Sequence, residues 1–476
     1  MDLPAPSAAS NLWASNTPAR TVLKLAAPTV LAMVTQSAVN DVDIYFFSRL
    51  PCPESSTAQA ALLPSLILLW MFGGSLSAIS VGTQAIAARR FSSGKPKDAG
   101  ATLVNSWLCS LGAGCAFTVL GYLVMPAVVD ALIRVPEVRH AALGYLKWRL
   151  LGITSMAATF SFKAFFDGIG KTQVHMVASM LMNAVNVFLC IALIFGHFGA
   201  PRMGMSGAGL AGAISSWLGL FVVVGWAAFP KYRRFSPFDL RLAARSTTLD
   251  ILRLSIPSAI ATVAVMSGFA LFSAIVSHLD AVSHAVVIAS GCGASEAVNG
   301  AATAVIVGVL KLTFTACLAF GTSTATLVSQ SLGAGAPERG ARFGWVSVRL
   351  GLLIFGIVGL LEGVLLTSPI LHFLTQSEAV YQTALVPMRM MGICTPLIAV
   401  GMILTQALFG AGNSRFVMLV ELVLHFGCLV PLAWLLGLTF GFALPGIWGA
   451  AVCYVVLLTT AMIWKFQRGD WKEIAI

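Results

Sequence analysis

Twelve stretches of the chain are apolar and long enough to cross a bilayer: 22–47, 58–86, 99–125, 139–166, 172–198, 203–229, 251–277, 297–328, 340–366, 379–409, 416–438 and 444–465. A helix rises about 1.5 Å per residue and the hydrocarbon core is about 30 Å thick, so roughly 20 apolar residues make one crossing. Charged residues are only 10% of the 476, against about 25% in a soluble protein, too few to cover the surfaces of the several soluble domains this length would otherwise build. The expected fold is an all-α polytopic membrane protein of twelve helices, with no room for a large soluble domain.

The loop charges test that topology. Nineteen Lys and Arg fall on one side: Arg20, Lys24, Arg89, Arg90, Lys95, Lys97, Lys171, Lys231, Arg233, Arg234, Arg241, Arg245, Arg253, Arg339, Arg342, Arg415, Lys465, Arg468 and Lys472. Only Arg49, Arg134, Arg139 and Arg202 fall on the other. By the positive-inside rule both chain ends are expected in the cytoplasm, with the protein in the plasma (inner) membrane. The net charge of +11 thus reads as topology, and no nucleic-acid partner is expected. Residues 1–20 lack a basic n-region and cleavage pattern, and read as a disordered cytoplasmic tail rather than a cleaved signal peptide. The nine cysteines show no metal-ligand spacing and mostly sit in apolar runs as small hydrophobes. Cys52 and Cys292 fall on the same outer side, where a disulfide between them is open.

The chain also repeats itself. Leu23–Pro28 matches Leu252–Pro257, Gly82-Thr83 with Gly94 matches Gly321-Thr322 with Gly333, and Arg149–Ile153 matches Arg389–Ile393. Gly168–Gly170 matches Gly410–Gly412, and Gly204–Gly209 matches Gly446–Ala451. Pairings in the same order, with six helices per half, predict two lobes related by a pseudo-twofold along the membrane normal. The expected organisation is a tail at 1–20, an N-lobe at 21–229, a basic linker at 230–250, a C-lobe at 251–466 and a tail at 467–476.

These features together resemble the multidrug and toxic compound extrusion (MATE) family of cation-coupled antiporters. The resemblance rests on Val42–Phe47, Asp167–Thr172, Met203–Ala211, Thr326–Gly335, Gly410–Ser414 and Pro445–Ala451, and covers roughly 20–470. It implies two six-helix lobes around a cleft that opens alternately to either side. It also implies export of amphiphilic, often cationic compounds driven by inward flow of H+ or Na+. An alternative on the same fold is export of one specific metabolite, or flipping of a lipid-linked precursor. No cofactor beyond the coupling ion is expected, and the expected state is a monomer in lipid bilayer.

Charges inside the spans are the candidate sites, because an unpaired charge in hydrocarbon costs several kcal/mol. A carboxylate in low dielectric holds a proton more readily than one in water, and so can take it up on one side and release it on the other. Asp43 and Asp41 lie near the outer end of the first helix, about 200° apart around it. Asp43 occupies the family's acid position, while hydrated helix-end charges remain the other reading. Asn183 and Asn186 share a face of the fifth helix. Family members often carry an Asp four residues beyond the second Asn; here that residue is Cys190, which weakens sodium, a cation that needs several hard oxygens, more than protons. In the second lobe Glu421 and His425 are one turn apart, with Lys311 and Glu362 inside neighbouring spans. That set reads either as a proton path or as a static bridge. A family acid nine residues after the proline of the seventh helix is replaced here by Met266.

Lys147, Arg149 and Arg389 are placed toward outer helix ends, where long cations snorkel, and Lys163 toward an inner end near Asp167. Gln36, Met33, Phe47 and Met266 are cleft-lining candidates, since Met and aromatic side chains suit varied apolar cargo. Pro28 and Pro257 are expected in the opening turns of helices one and seven, and Pro396 inside helix ten, as hinge candidates. No nucleophile, metal-ligand motif or nucleotide loop is present in the sequence, so neither an enzyme nor an ATP-driven pump is expected.

Overall fold

The computed structural model describes residues 17–51, 54–133, 135–283, 286–288, 295–375 and 377–474. The first lobe runs Pro18–Ser48, then Glu54–Phe72 continuing through a 3₁₀ turn (Gly74–Ala78) into Ile79–Ser92, then Pro96–Leu132, Pro136–Arg149 continuing through Leu150–Gly152 into Ile153–Gly168, Thr172–Phe195 and Met205–Ala228. The second runs Arg245–Ser283, Val298–Gly333, Pro337–Leu360 extended to Leu374, Glu378–Gly410, Ser414–Leu424 extended to Thr439, and Ala443–Arg468. Among the described residues ten helices are long and apolar enough to cross a membrane, and eleven when the second span is counted across its 40° bend. The remaining column, 136–168, is the fourth span. It is broken at Leu150–Gly152 and carries Glu137, Arg139, Lys147, Arg149, Lys163 and Asp167.

Several helices outrun their apolar stretches. The seventh takes in 245–250 and 278–283, because a helix keeps its backbone bonded beyond the hydrocarbon edge more cheaply than a loop does. Pro28 and Pro257 consequently stand ten and twelve residues inside their helices, in the interior and not in the first turn. Pro396 lies inside helix ten as expected. Beyond the seventh helix, Val286–Ile288 pairs antiparallel with Ser295–Ala297. Cys52, Cys292, residues 1–16 and the side chains of Asn40 and Asp41 lie outside the described residues.

The linker is packed. It forms short 3₁₀ turns at Pro230–Phe235 and Leu240–Leu242, and buries Tyr232 and Phe235 with Phe162, Phe165 and Phe166 of the fourth span.

Core packing divides by height. At the end away from the basic loops each lobe has its own cluster: Phe47, Met125, Leu146, Ile194 and Met205 in the first, Phe272, Ile306, Met388 and Ile447 in the second. At the basic end the clusters cross between lobes. Val22, Leu25 and Ala26 of the first helix join Phe320, Leu327, Val328 and Leu404, and Ile86 of the second span packs with Ile251 and Leu254 of the seventh helix.

Hydrogen bonds follow the same division. Gln84 Nε2 donates to Thr322 O and Thr326 Oγ1 (both 2.8 Å), Gln330 Nε2 to Gly168 O (2.7 Å) and Arg89 Nη2 to Ala411 O (2.9 Å). Gly168 and Gly410, equivalent in the repeat, sit where each helix touches a neighbour's backbone: a Cβ would meet Gln84 O at 2.9 Å and Ala325 O at 2.5 Å, respectively. The lobes are thus closed on each other at the basic end and packed separately at the other.

Small residues allow a close crossing where helices nine and ten meet at Gly363 and Gly392. A Cβ on Gly392 would lie 2.3 Å from Gly363 Cα. Gly392→Val is therefore expected to lower the thermal midpoint in detergent by the equivalent of about 1–3 kcal/mol. Gly356→Ala, where nothing lies within 4 Å, should leave the midpoint unchanged or slightly raised.

Candidate functional site

In the first lobe, four helices aim polar side chains at one small cavity of about 40 Å³, room for about two or three waters. Gln36 and Asp43, seven apart, share a face of the first helix, and Asn183, Asn186 and Cys190 share a face of the fifth. Tyr145 and Arg149, one turn apart, come from the fourth span, and Gly212, Ser215 and Ser216 from the sixth. Gly212 lets the guanidinium lie across the sixth helix, since a Cβ there would be 3.0 Å from Arg149 Cζ.

The side chains are tied in sequence. The Cys190 thiol is 3.6 Å from Asp43 Oδ1, and Asn186 Nδ2 donates to Ser215 Oγ (3.2 Å). Arg149 Nη1 donates to Ser216 Oγ (3.2 Å). Both polar atoms of the Asn183 side chain are buried with no hydrogen-bond partner in the protein, and Asn183 lines the cavity. Leaving two such atoms unsatisfied is costly, and the cavity beside them is the space that can supply partners. The arrangement offers one carboxylate, one fixed cation and amide and hydroxyl oxygens around a small polar space. Among the described residues no three His, Cys, Asp or Glu side chains converge as a metal site, here or elsewhere.

Asp43, Asn183, Asn186 and Gln36 are therefore brought together. Arg149, placed by its sequence position at an outer helix end, instead lines the cavity, while its repeat equivalent Arg389 is exposed. Met33 lies next along the same helix, its Sδ 3.9 Å from Lys163 Nζ. Phe47 is fully enclosed in the first lobe's core and so lines no cleft in this conformation. Met266 is 41% exposed on the seventh helix.

The second lobe holds a different cluster. Glu421 and His425 are both buried, with His425 Nδ1 3.3 Å from Glu421 Oε2 and 2.9 Å from Glu421 O. Tyr454 of the twelfth helix donates its hydroxyl to Glu421 Oε2 (2.8 Å), and its ring lies 4.6 Å from that of His425. A π-turn begins at His425, and Gly268 makes room for the imidazole, 2.5 Å from where its own Cβ would stand. Lys311 is half-buried on helix eight. Two residues on, Thr313 Oγ1 donates to Glu362 Oε1 (2.6 Å), so the carboxylate of Glu362 is held by a neutral hydroxyl. Tyr454 goes unremarked in the sequence, where the one signal is a polar ring inside an apolar run, and nothing in its spacing says that it faces Glu421.

The MatE family pattern matches residues 28–192 and 257–435, one block in each lobe. A probable multidrug resistance protein NorM of Thermotoga maritima is 25% identical over 472 residues, covering 96% of this chain and 93% of its own. The multidrug resistance protein PmpM of Pseudomonas aeruginosa is 27% identical over 437 residues, covering 90% and 87%. In structure, a MOP superfamily transporter from Pyrococcus furiosus superposes with a TM-score of 0.83 at 19% identity, over 97% of this chain and 98% of its own. A Vibrio cholerae MATE transporter, VcmN, does so with 0.80 at 17%, over 95% and 96%. With both halves matched in order and the two-lobed architecture shared, the chain belongs to the MatE family, whose members are membrane transporters and not enzymes.

Proposed function

We propose that the protein is a secondary exporter of amphiphilic, cationic compounds in exchange for inward-moving protons, working by alternating access between lobes 21–229 and 251–466, with the basic end in the cytoplasm. The names of the relatives, multidrug resistance proteins, support the cargo class. The observation that carries the coupling ion is the presence of Arg149 in the same cavity as Asp43. A sodium ion there would have to share about 40 Å³ with a guanidinium, with one carboxylate and, among the described residues, no second acid to offset the repulsion. A proton meets no such obstacle: it neutralises Asp43 and releases Arg149 from its attraction. The change in charge alters how helices one, four and six pack, which biases the lobe between its two arrangements.

In the second lobe we assign a subsidiary proton-binding role to Glu421 and His425, with Tyr454 fixing the carboxylate. Lys311 supplies positive charge on the adjacent helix. Pro28, Pro257 and Pro396, each missing a helical hydrogen bond, are points where bending would cost little. Met33 and Met266 remain the cargo-facing candidates.

The reading is tested in inverted membrane vesicles by uptake of a fluorescent cationic dye under an imposed pH gradient, an imposed sodium gradient, or neither. Uptake should follow the pH gradient alone. Uptake that followed only sodium would reverse the ion assignment, and uptake indifferent to both would sink antiport. Competition by structurally unrelated cations separates multidrug export from export of one metabolite or lipid precursor.

A further inference from the structure

At the basic end a second and larger cavity, about 680 Å³, lies where the two lobes and the linker meet. Its wall is Arg89, Arg90 and Ser93 from the end of the second span, and Lys95, Asp98 and Ala101 from the start of the third. The rest is Leu242, Ala244 and Thr247 from the linker and seventh helix, with Leu332 and Gly333 from the end of the eighth. Three cations thus face one carboxylate.

The two arginines are held in place by neutral acceptors, while Asp98 and Asp250 act on Arg90 through charge without a direct ion pair. Arg89 donates to Ala411 O (2.9 Å) and Ile474 O (2.6 Å), and its Nε is buried with no partner in the protein. Arg90 donates to Asp98 O (3.2 Å) and Thr102 Oγ1 (3.0 Å), and more weakly to Thr247 Oγ1 (3.4 Å). All of these acceptors are uncharged. Among the described residues no ion pair joins Arg89, Arg90 or Lys95 to a carboxylate. Arginines fixed by neutral acceptors keep their charge and lose little entropy on binding an anion. Lys95 is exposed and precedes the first turn of the third helix, whose free N–H groups add to the positive potential.

We infer that this junction is a binding site for a phosphate group, held by Arg89, Arg90 and Lys95. The tetrahedral anion matches guanidinium and ammonium donors approaching from several sides. Its source is either a soluble phosphate or the head group of an anionic phospholipid in the leaflet that the basic loops face. The walls come from both lobes, so an occupied site favours the arrangement closed at the basic end and opposes its opening. This goes beyond the transport reading and does not depend on which ion drives it.

The test uses the purified full chain in neutral detergent, with thermal midpoints read in sodium phosphate against sodium chloride at matched ionic strength, and in short-chain phosphatidylglycerol against short-chain phosphatidylcholine. The phosphate-bearing anion should raise the midpoint by about 2–4 °C. A rise with inorganic phosphate shows that the phosphate group is recognised by itself; a rise with phosphatidylglycerol alone assigns the site to a lipid head group; either supports the site. Lys95→Gln, which removes an exposed side chain and no described contact, should raise the half-saturating concentration several-fold, and Arg90→Gln/Lys95→Gln at least tenfold. Lys231→Gln, at the same end but outside the cavity, should change nothing. No rise above the chloride and phosphatidylcholine controls, or an undiminished response in Lys95→Gln, would overturn the inference.

Discussion

Asp43→Asn is expected to abolish gradient-driven export while leaving a folded protein. The amide has the shape of the carboxylate and still offers an oxygen to the Cys190 thiol, 3.6 Å away in the native chain, so the packing of the first and fifth helices should survive. What is lost is the ability to exchange a proton. One proton moving down one pH unit supplies about 1.4 kcal/mol, enough to hold a tenfold cargo gradient for each pH unit and each proton exchanged. Wild type in vesicles with a gradient of two pH units should therefore accumulate dye up to about a hundredfold per proton exchanged, and Asp43→Asn should equilibrate it at a ratio of one. Dye binding in detergent would persist in the variant, which separates lost coupling from lost recognition. Glu421→Gln is expected to slow transport and keep accumulation. If the two variants exchanged phenotypes, the coupling site would belong to the second lobe.

A second large effect is expected at the closed end. Gln84→Ala together with Gln330→Ala removes three hydrogen bonds that cross between lobes, those to Thr322 O, Thr326 Oγ1 and Gly168 O. Gln84 and Gln330 are both buried, so the freed acceptors stay dry while the lobes are together and are hydrated once they part. At about 1 kcal/mol for each bond, the equilibrium should move by about 3 kcal/mol, or roughly a hundredfold, toward opening at the basic end. Spin labels at Lys171 and Arg415, one on each lobe in a background without native cysteines, would report it as a minor long-distance population becoming the major one. An unchanged distance distribution would mean that the apolar contacts of Val22, Leu25 and Ala26 hold the closure alone.

How far the sequence led differs between residues for physical reasons. Asn183 and Asn186 can be read as a pair because three residues make most of a helical turn and both stand in the apolar middle of the fifth helix, away from Gln173 and His175 in its first turn. That they meet Gln36 and Asp43 depends on the first helix lying against the fifth, a contact with no local signature. Arg149 was misplaced for a related reason. Its repeat partner Arg389 is exposed, and the two stand in the same five-residue pattern. Gly212 and Ser216 on the sixth helix, which make space for Arg149 and bond it, are what distinguish them. Phe47 looked like a cleft residue because an aromatic near the outer end of a helix does not declare its neighbours. The prolines were placed too near helix ends because apolar stretches mark the hydrocarbon, whereas helices extend into the interface as long as their backbone bonds are met.

The crossing count, the two-lobed repeat and the basic face could all be read from order and composition, because lipid penalises an unbonded backbone and an unpaired charge wherever they occur. Those penalties act on each segment by itself, so each segment records them. Which side chains share a cavity, which lobe holds the single carboxylate opposite a fixed arginine, and at which end the lobes close are properties of helix pairs far apart in the chain. They are set by where small residues such as Gly168, Gly212 and Gly392 let backbones approach, and only the packed structure determines which partners come close.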